Sequence, residues 1–304
     1  MKRDFLALSD LGPGGIDPLL DQAKRFAKGR RTPEQPRPLA GRSAALIFEK
    51  ASTRTRVSLE LAVCELGGWP IVMTSQASQI ARGEPLADTA RVLERMVDVI
   101  AFRTFGRERL LELAKIAKVP VVNALTDDEH PLQLLADLYT VREVRGRLAG
   151  LRYAWVGDGN NMARSWIEAA RLMGLELVLA CPAGFEPPDD EVELARRAGA
   201  KVTVVHDARQ ACHLADVIST DVWASMGQED EQERRKRIFK DFRVSADLVA
   251  SAARDVVVLH CLPAHRGEEI DDDVIEGPRS FVWDQAEARL HTGKAVLAWV
   301  LESA

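Results

Sequence analysis

The stretch SAALIFEKASTRTRVSLELAVCELGGWPIVM, Ser43 to Met73, decides the fold class. Ser43–Phe48 is a short apolar run that reads as a strand. Arg54–Leu66 then reads as a helix, with Val57, Leu61 and Cys64 sharing one apolar face. Gly67-Gly68 stops that helix, and Trp69–Met73 reads as the next strand. Working outward, the same rhythm continues. Asp98–Phe102 and Val119–Asn123 are strand candidates, separated by helical patterns at Leu86–Val97 and Glu108–Lys118. Repeated alternation of strand and helix implies a mainly parallel sheet with helices on both faces.

After a long helical pattern over roughly Pro131–Glu143 the rhythm restarts. Strands are expected at Arg152–Val156, Glu176–Ala180, Lys201–Val204, Val217–Thr220 and Val256–His260. Two glycines flank the polar stretch Arg145–Gly150, the best domain boundary. A last helix, Gln285–Glu302, has Leu290, Ala295, Leu297, Ala298 and Leu301 to bury. The expected architecture is α/β: two domains, each a mainly parallel sheet flanked by helices, joined by interdomain helices. Residues 1–145 form the first domain, completed by the C-terminal helix 286–304, and 146–285 form the second.

The 304 residues fit two domains of roughly 150 residues each. No segment approaches the ~20 apolar residues of a membrane span. Lys plus Arg number 41 against 46 Asp plus Glu, a net charge of −5, and Arg234–Arg237 is a lone short basic run. Neither a membrane nor a nucleic acid is therefore expected as partner, since phosphate-backbone affinity needs concentrated positive charge. The four cysteines, Cys64, Cys181, Cys212 and Cys261, lie far apart without metal-ligand spacing. They are expected to be reduced thiols. With no leader-like apolar segment near Met1, a cytoplasmic location is expected, and no metal or cofactor.

In open α/β sheets ligands gather beyond the carboxyl ends of strands, so the residues just after each strand are the informative ones. Ser43–Phe48 is followed by Glu49-Lys50-Ala51-Ser52-Thr53-Arg54-Thr55-Arg56, which opens directly into a helix. Hydroxyls, free N–H groups and arginine at a helix start suit a phosphate, although a plain Ser/Thr cap has the same composition. Arg103 follows the third strand. His130 and Gln133, three apart around Pro131 at the mouth of the long helix, can share one site. Gly157-Asp158-Gly159-Asn160-Asn161 lacks the third glycine of a dinucleotide fingerprint, with Met162 in its place, which disfavours a nicotinamide oxidoreductase. Asp221–Glu229 carries Trp223 and Met226 in a loop, where large apolar residues pack over something. His260-Cys261-Leu262-Pro263 ends the last strand with a cysteine that is either core or functional.

Taken together, STRTR, HPLQ, GDGNN, DVWASMGQE and HCLPAHRGEE, in this order and spacing, resemble the ornithine carbamoyltransferases of the aspartate/ornithine carbamoyltransferase superfamily. The likeness runs from about Phe48 to Arg289. It implies transfer of the carbamoyl group of carbamoyl phosphate to the side-chain amine of L-ornithine, giving L-citrulline and phosphate, a step of arginine biosynthesis. By that resemblance the first domain binds carbamoyl phosphate through Ser52, Thr53, Arg54, Thr55, Arg103, His130, Gln133 and Arg289. Gln79 would reach a neighbouring subunit's site in a homotrimer. The second domain binds ornithine through Asn161, Asp221, Ser225 and Met226. Cys261 and Leu262 match a pair that borders the carbamoyl group and orients the attacking amine; Cys261, Arg103 and His130 are the catalytic residues implied. Putrescine or another amine is the closest rival acceptor. Ala51 departs from the proline that is frequent in the family.

Overall fold

A computed structural model describes residues 2–74, 79–224 and 231–302. The chain divides into two compact units, Met1–Ala136 with Glu287–Ala304, and Asp137–Ala286.

In the first unit, α1 (Ile16–Lys28) precedes β1 (Ser43–Phe48), α2 (Arg54–Glu65), β2 (Trp69–Thr74), α3 (Leu86–Leu93), β3 (Val99–Arg103), α4 (Arg107–Ile116) and β4 (Val121–Leu125). The four strands form a parallel sheet in the order β2-β1-β3-β4. The central strands are buried nearly throughout, while the edge strand β2 exposes Trp69 and Ile71. That contrast follows from helices covering both faces of the sheet's middle. One core layer packs Ala45, Ile47, Ile100 and Phe102 against Leu86, Ala90 and Leu110, Leu113.

The second unit contains β5 (Arg152–Val156), α6 (Asn161–Met173), β6 (Glu176–Ala180), α7 (Asp189–Arg197), β7 (Lys201–Val205), α8 (Ala208–Cys212) and β8 (Val217–Thr220). It continues with α9 (Gln232–Phe239), α10 (Ala246–Ala250), β9 (Val257–His260) and α11 (Asp272–Ile275). Its parallel sheet runs β7-β6-β5-β8-β9. The division into units falls inside two helices, α5 (Pro131–Arg145) and α12 (Val282–Leu301). Gly146 and Gly150 take positive φ (71° and 72°) in the turn that leads from α5 into β5. Leu290, Ala295, Leu297, Ala298 and Leu301 of α12 are all buried, as its sequence pattern implies.

The face of α2 departs from expectation. Val57 and Leu61 are exposed, at 51% and 41%, and Cys64 is exposed too. The buried face is instead Thr55, Ser58, Leu59, Ala62 and Val63. The reason is tertiary: Leu59 and Ala62 meet α12 at Gly293, where an added Cβ would stand 3.5 Å from Leu59. The face that packs on α12 is the buried one, and Val57 and Leu61 lie off it.

Both sheet orders reverse direction beside their first strand, between β1 and β3 in one and between β5 and β8 in the other. At such switch points the loops leaving adjacent strands diverge to opposite faces and open a crevice. The loops after β1, β3, β5 and β8 are among those singled out in the sequence. Among the described residues no helix is long and apolar enough to cross a membrane.

Candidate active site

In the first unit the loop after β1 is built by its neighbours. Glu49 N donates to Arg103 O at 2.9 Å, and the Glu49 carboxylate accepts from Thr104 Oγ1 and from Arg109 Nη2 (2.6 Å). Lys50 Nζ pairs with Asp127 and lies 4.5 Å from the centroid of the Phe105 ring. The chain is thus pinned to the loops after β3 and β4 just before Ser52.

Thr53 then caps α2 without a side-chain hydrogen bond. The first-turn N–H groups are left for something else, and the plain Ser/Thr cap is not what forms. Ser52 Oγ is buried with no partner among the described residues. Arg103, the last residue of β3, is 6% exposed, and its Nε is likewise without a partner among them. Burial and then the Arg54 charge push the Arg103 guanidinium down to about 10, with Asp127 opposing. It remains a cation at neutral pH, held beside another cation at a helix N-terminus. That arrangement favours an anion.

Arg289, near the middle of α12, closes the cradle. Its Nη2 donates to Thr55 Oγ1 (2.5 Å) and its Nη1 to Gln133 Oε1 (2.7 Å), all three residues being buried. Thr55 spends an acceptor lone pair on Arg289 and keeps its hydroxyl hydrogen to donate. His130 precedes Pro131 at the start of α5, its carbonyl accepting from Gln133 N and Leu134 N. Burial, followed by the charges of Arg289, Arg103 and Arg54, holds its imidazole well below the ordinary value. A neutral imidazole at pH 7 offers one N–H donor and no charge. Gln79 lies apart, exposed in a short 3-10 turn, Gln79–Arg82.

In the second unit Asn160 caps α6, its Oδ1 accepting from Met162 N and Ala163 N at 2.9 and 3.2 Å. Its Nδ2 donates to Asp221 Oδ2 at 3.0 Å. Asp221 Oδ1 accepts from Val222 N (2.8 Å) and from the Cys261 thiol (2.9 Å). Burial pushes the Asp221 carboxyl up, and the hydrogen bonds from Cys261 and Val222 pull it back. Asn161, half-buried, is the first residue of α6.

The turn after β9 rests on a buried pair. Leu262, at φ 59°, donates its N–H to His260 Nδ1 at 2.8 Å, so that nitrogen carries no proton. Nε2 carries it and donates to Glu269 Oε1 at 3.0 Å, and the same oxygen accepts from His265 N. Ligand atoms of Asp221, His260 and Cys261 lie within 4.8 Å of one another. Because both nitrogens of His260 are engaged, the cluster offers a carboxylate and a thiol rather than an open metal-ligand set. All four cysteines are free thiols.

The glycines of GDGNN have local duties. Gly157 adopts φ 141°, and a Cβ on Gly159 would stand 2.3 Å from Pro187 N. They make a turn that passes against chain 186–187, with no dinucleotide loop required.

The first unit thus gathers Ser52, Thr53, Arg54, Thr55, Arg103, His130, Gln133 and Arg289, and the second gathers Asn161, Asp221, Cys261 and Leu262. Ser225 and Met226 fall outside the described residues. Sequence reasoning missed the supports: Glu49 with Arg109, Asn160 on Asp221, and His260 on Glu269. All but Arg109 lie in a quoted stretch, but pairing across loops leaves no local trace.

Residues 3–143 match the sequence model for the carbamoyl-P binding domain of aspartate/ornithine carbamoyltransferase, and residues 149–300 match that for its Asp/Orn binding domain. The chain belongs to the aspartate/ornithine carbamoyltransferase family. Within that family it is 54% identical over 310 residues to the ornithine carbamoyltransferase of Sorangium cellulosum, covering 99% of this chain and 98% of the relative. It is 51% identical over 303 residues to that of Geobacter metallireducens, covering 99% and 100%. Among solved structures, the ornithine carbamoyltransferase of Pyrococcus furiosus superposes with a TM-score of 0.94 at 47% identity, covering 100% of this chain and 98% of that one. The anabolic enzyme of Campylobacter jejuni gives 0.93 at 37%, covering 100% of both.

Proposed function

We propose that this chain transfers the carbamoyl group of carbamoyl phosphate to the side-chain amine of L-ornithine, yielding L-citrulline and phosphate. One observation carries the carbamoyl phosphate half: a buried Arg103 beside the charge of Arg54, with an unsatisfied Nε, where α2 begins without a side-chain cap. Two neighbouring guanidinium groups and a helix start without a side-chain cap suit a dianion. Ser52, Thr53, Arg54 and Thr55 hold the phosphate. Arg103, His130, Gln133 and Arg289 surround the carbamoyl group.

Attack by an amine on the carbamoyl carbon places negative charge on its oxygen. Arg103, Thr55 and the neutral His130 are donors for that charge, each worth roughly 3–4 kcal/mol in the transition state. Phosphate then leaves with the C–O bond pair, and the attacking nitrogen loses a proton. No covalent enzyme intermediate is needed, since ornithine brings its own nucleophile.

Asp221, aligned by Asn160 and Val222, suits the α-ammonium, and Asn161, Ser225 and Met226 complete the acceptor's contacts. Cys261 and Leu262 orient the side-chain amine. That amine titrates near a lysine's 10.4, so under ~1% is neutral at pH 7. Turnover is therefore expected to climb with pH until the bound amine has lost its proton.

The exposed Val57, Leu61, Trp69 and Ile71 support a homotrimer, in which Gln79 serves a neighbour's site. Four free thiols agree with a cytoplasmic, reducing location, and the product suits arginine biosynthesis. The deciding experiment offers radiolabelled carbamoyl phosphate with ornithine, putrescine, N-acetylornithine or aspartate in turn. Ornithine is expected to be preferred. Preference for another amine would overturn the acceptor, and no labelled product with any would overturn carbamoyl transfer.

A further inference from the structure

The basic run Arg234-Arg235-Lys236-Arg237 lies on α9, with Arg234 and Arg237 exposed and Arg235 turned inward. Arg235 is only 8% exposed. Its Nη1 donates to Asp158 Oδ2 and to Trp223 O, both at 2.7 Å. The guanidinium carbon stands 5.0 Å from the centroid of the Phe185 ring and 6.0 Å from that of Phe239, while Trp223 stacks on Phe239 at 5.8 Å. The next residue reaches another loop: Lys236 Nζ is 2.9 Å from Glu268 Oε1, beside the Glu269 that holds His260. Arg234 pairs with Glu231, and Arg237 Nε donates to Glu233 O.

One helix thereby grips the turns that follow β5, β8 and β9. Asp158 is two residues before Asn160, and Trp223 two residues after Asp221. We propose that Arg235 is a positioning residue for the amine acceptor: by holding Asp158 and the Trp223 carbonyl together, it sets the spacing of Asn160 and Asp221. A planar fork that hydrogen-bonds in its plane while its faces pack on aromatic rings does this, and an ammonium does not. The inference rests on the assignment of Asp221 to ornithine.

The test uses Arg235→Lys, Arg235→Gln and Asp158→Asn in the full chain, with KM measured separately for ornithine and carbamoyl phosphate and with thermal midpoints. Each variant is expected to raise the ornithine KM about tenfold or more, the worth of a buried charge-assisted hydrogen bond. The carbamoyl phosphate KM should stay within about twofold. Asp158→Asn combined with Arg235→Gln should be little worse than the worse single variant, because both break one link. Should Arg235→Gln fail to fold, Arg235→Lys and Asp158→Asn carry the test, since each keeps shape or charge. An unchanged ornithine KM, or both KM values rising together as stability falls, would overturn the positioning role. Wild-type protein that makes no citrulline would instead overturn the function, and the inference with it.

Discussion

At Cys261 the thiol donates to Asp221 Oδ1 at 2.9 Å, a contact that supports its proposed place beside the acceptor amine. Cys261→Ser is expected to fold normally and lower kcat about tenfold, the effect of ~1.4 kcal/mol in a barrier. A wild-type rate in steady-state assays would remove it from the mechanism. His130 makes a different prediction. Burial and three arginines depress its pKa in the fold, so as pH falls below about 6.5 the unfolded chain takes up a proton that the folded one refuses. Stability should decline there on acidification, and His130→Gln should flatten the decline in urea midpoints measured from pH 7 to 5. Apart from Arg289 on α12, the chemistry-bearing residue types were legible in the sequence because they lie at or soon after strand ends. Which cysteine or histidine is buried against what was not. Cys261 and Cys212 look alike in the chain, and only position separates a half-buried thiol facing a carboxylate from a core one.

At the level of elements, the short turn between β5 and α6 does several jobs at once. Asn160 caps the helix and orients Asp221, so Asn160→Ala is expected to cost about 1–2 kcal/mol of stability and to weaken ornithine binding more than carbamoyl phosphate binding. Equilibrium urea unfolding and the two KM values check this. Gly159→Ala forces a Cβ onto the backbone of Glu186 and Pro187, and unfolding experiments should find it destabilised by roughly 1–3 kcal/mol. Strand positions were readable because a buried parallel strand is a short apolar run that needs no partner to be recognised. Helix faces were less readable. The apolar residues of α2 encircle it, and the face it buries, Leu59 and Ala62 rather than Val57 and Leu61, lies beside Gly293 on a helix far along the chain.

For the molecule as a whole, the exposed Leu61 and Trp69 carry a prediction about assembly. Leu61→Glu with Trp69→Glu should lower the mass seen by sedimentation velocity from that of a trimer, whereas a monomeric wild type would refute the trimer. The sequence by itself determined the α/β class and the two parallel sheets, because the strand-helix period is written locally. It also determined the family, because five short motifs keep their order and spacing. Only the tertiary structure decided how the motifs are supported: Glu49 on Arg109, Arg289 on Thr55 and Gln133, Arg235 on Asp158. Such links join residues far apart in the chain. Their strength comes from burial and geometry, which no local run of residues encodes.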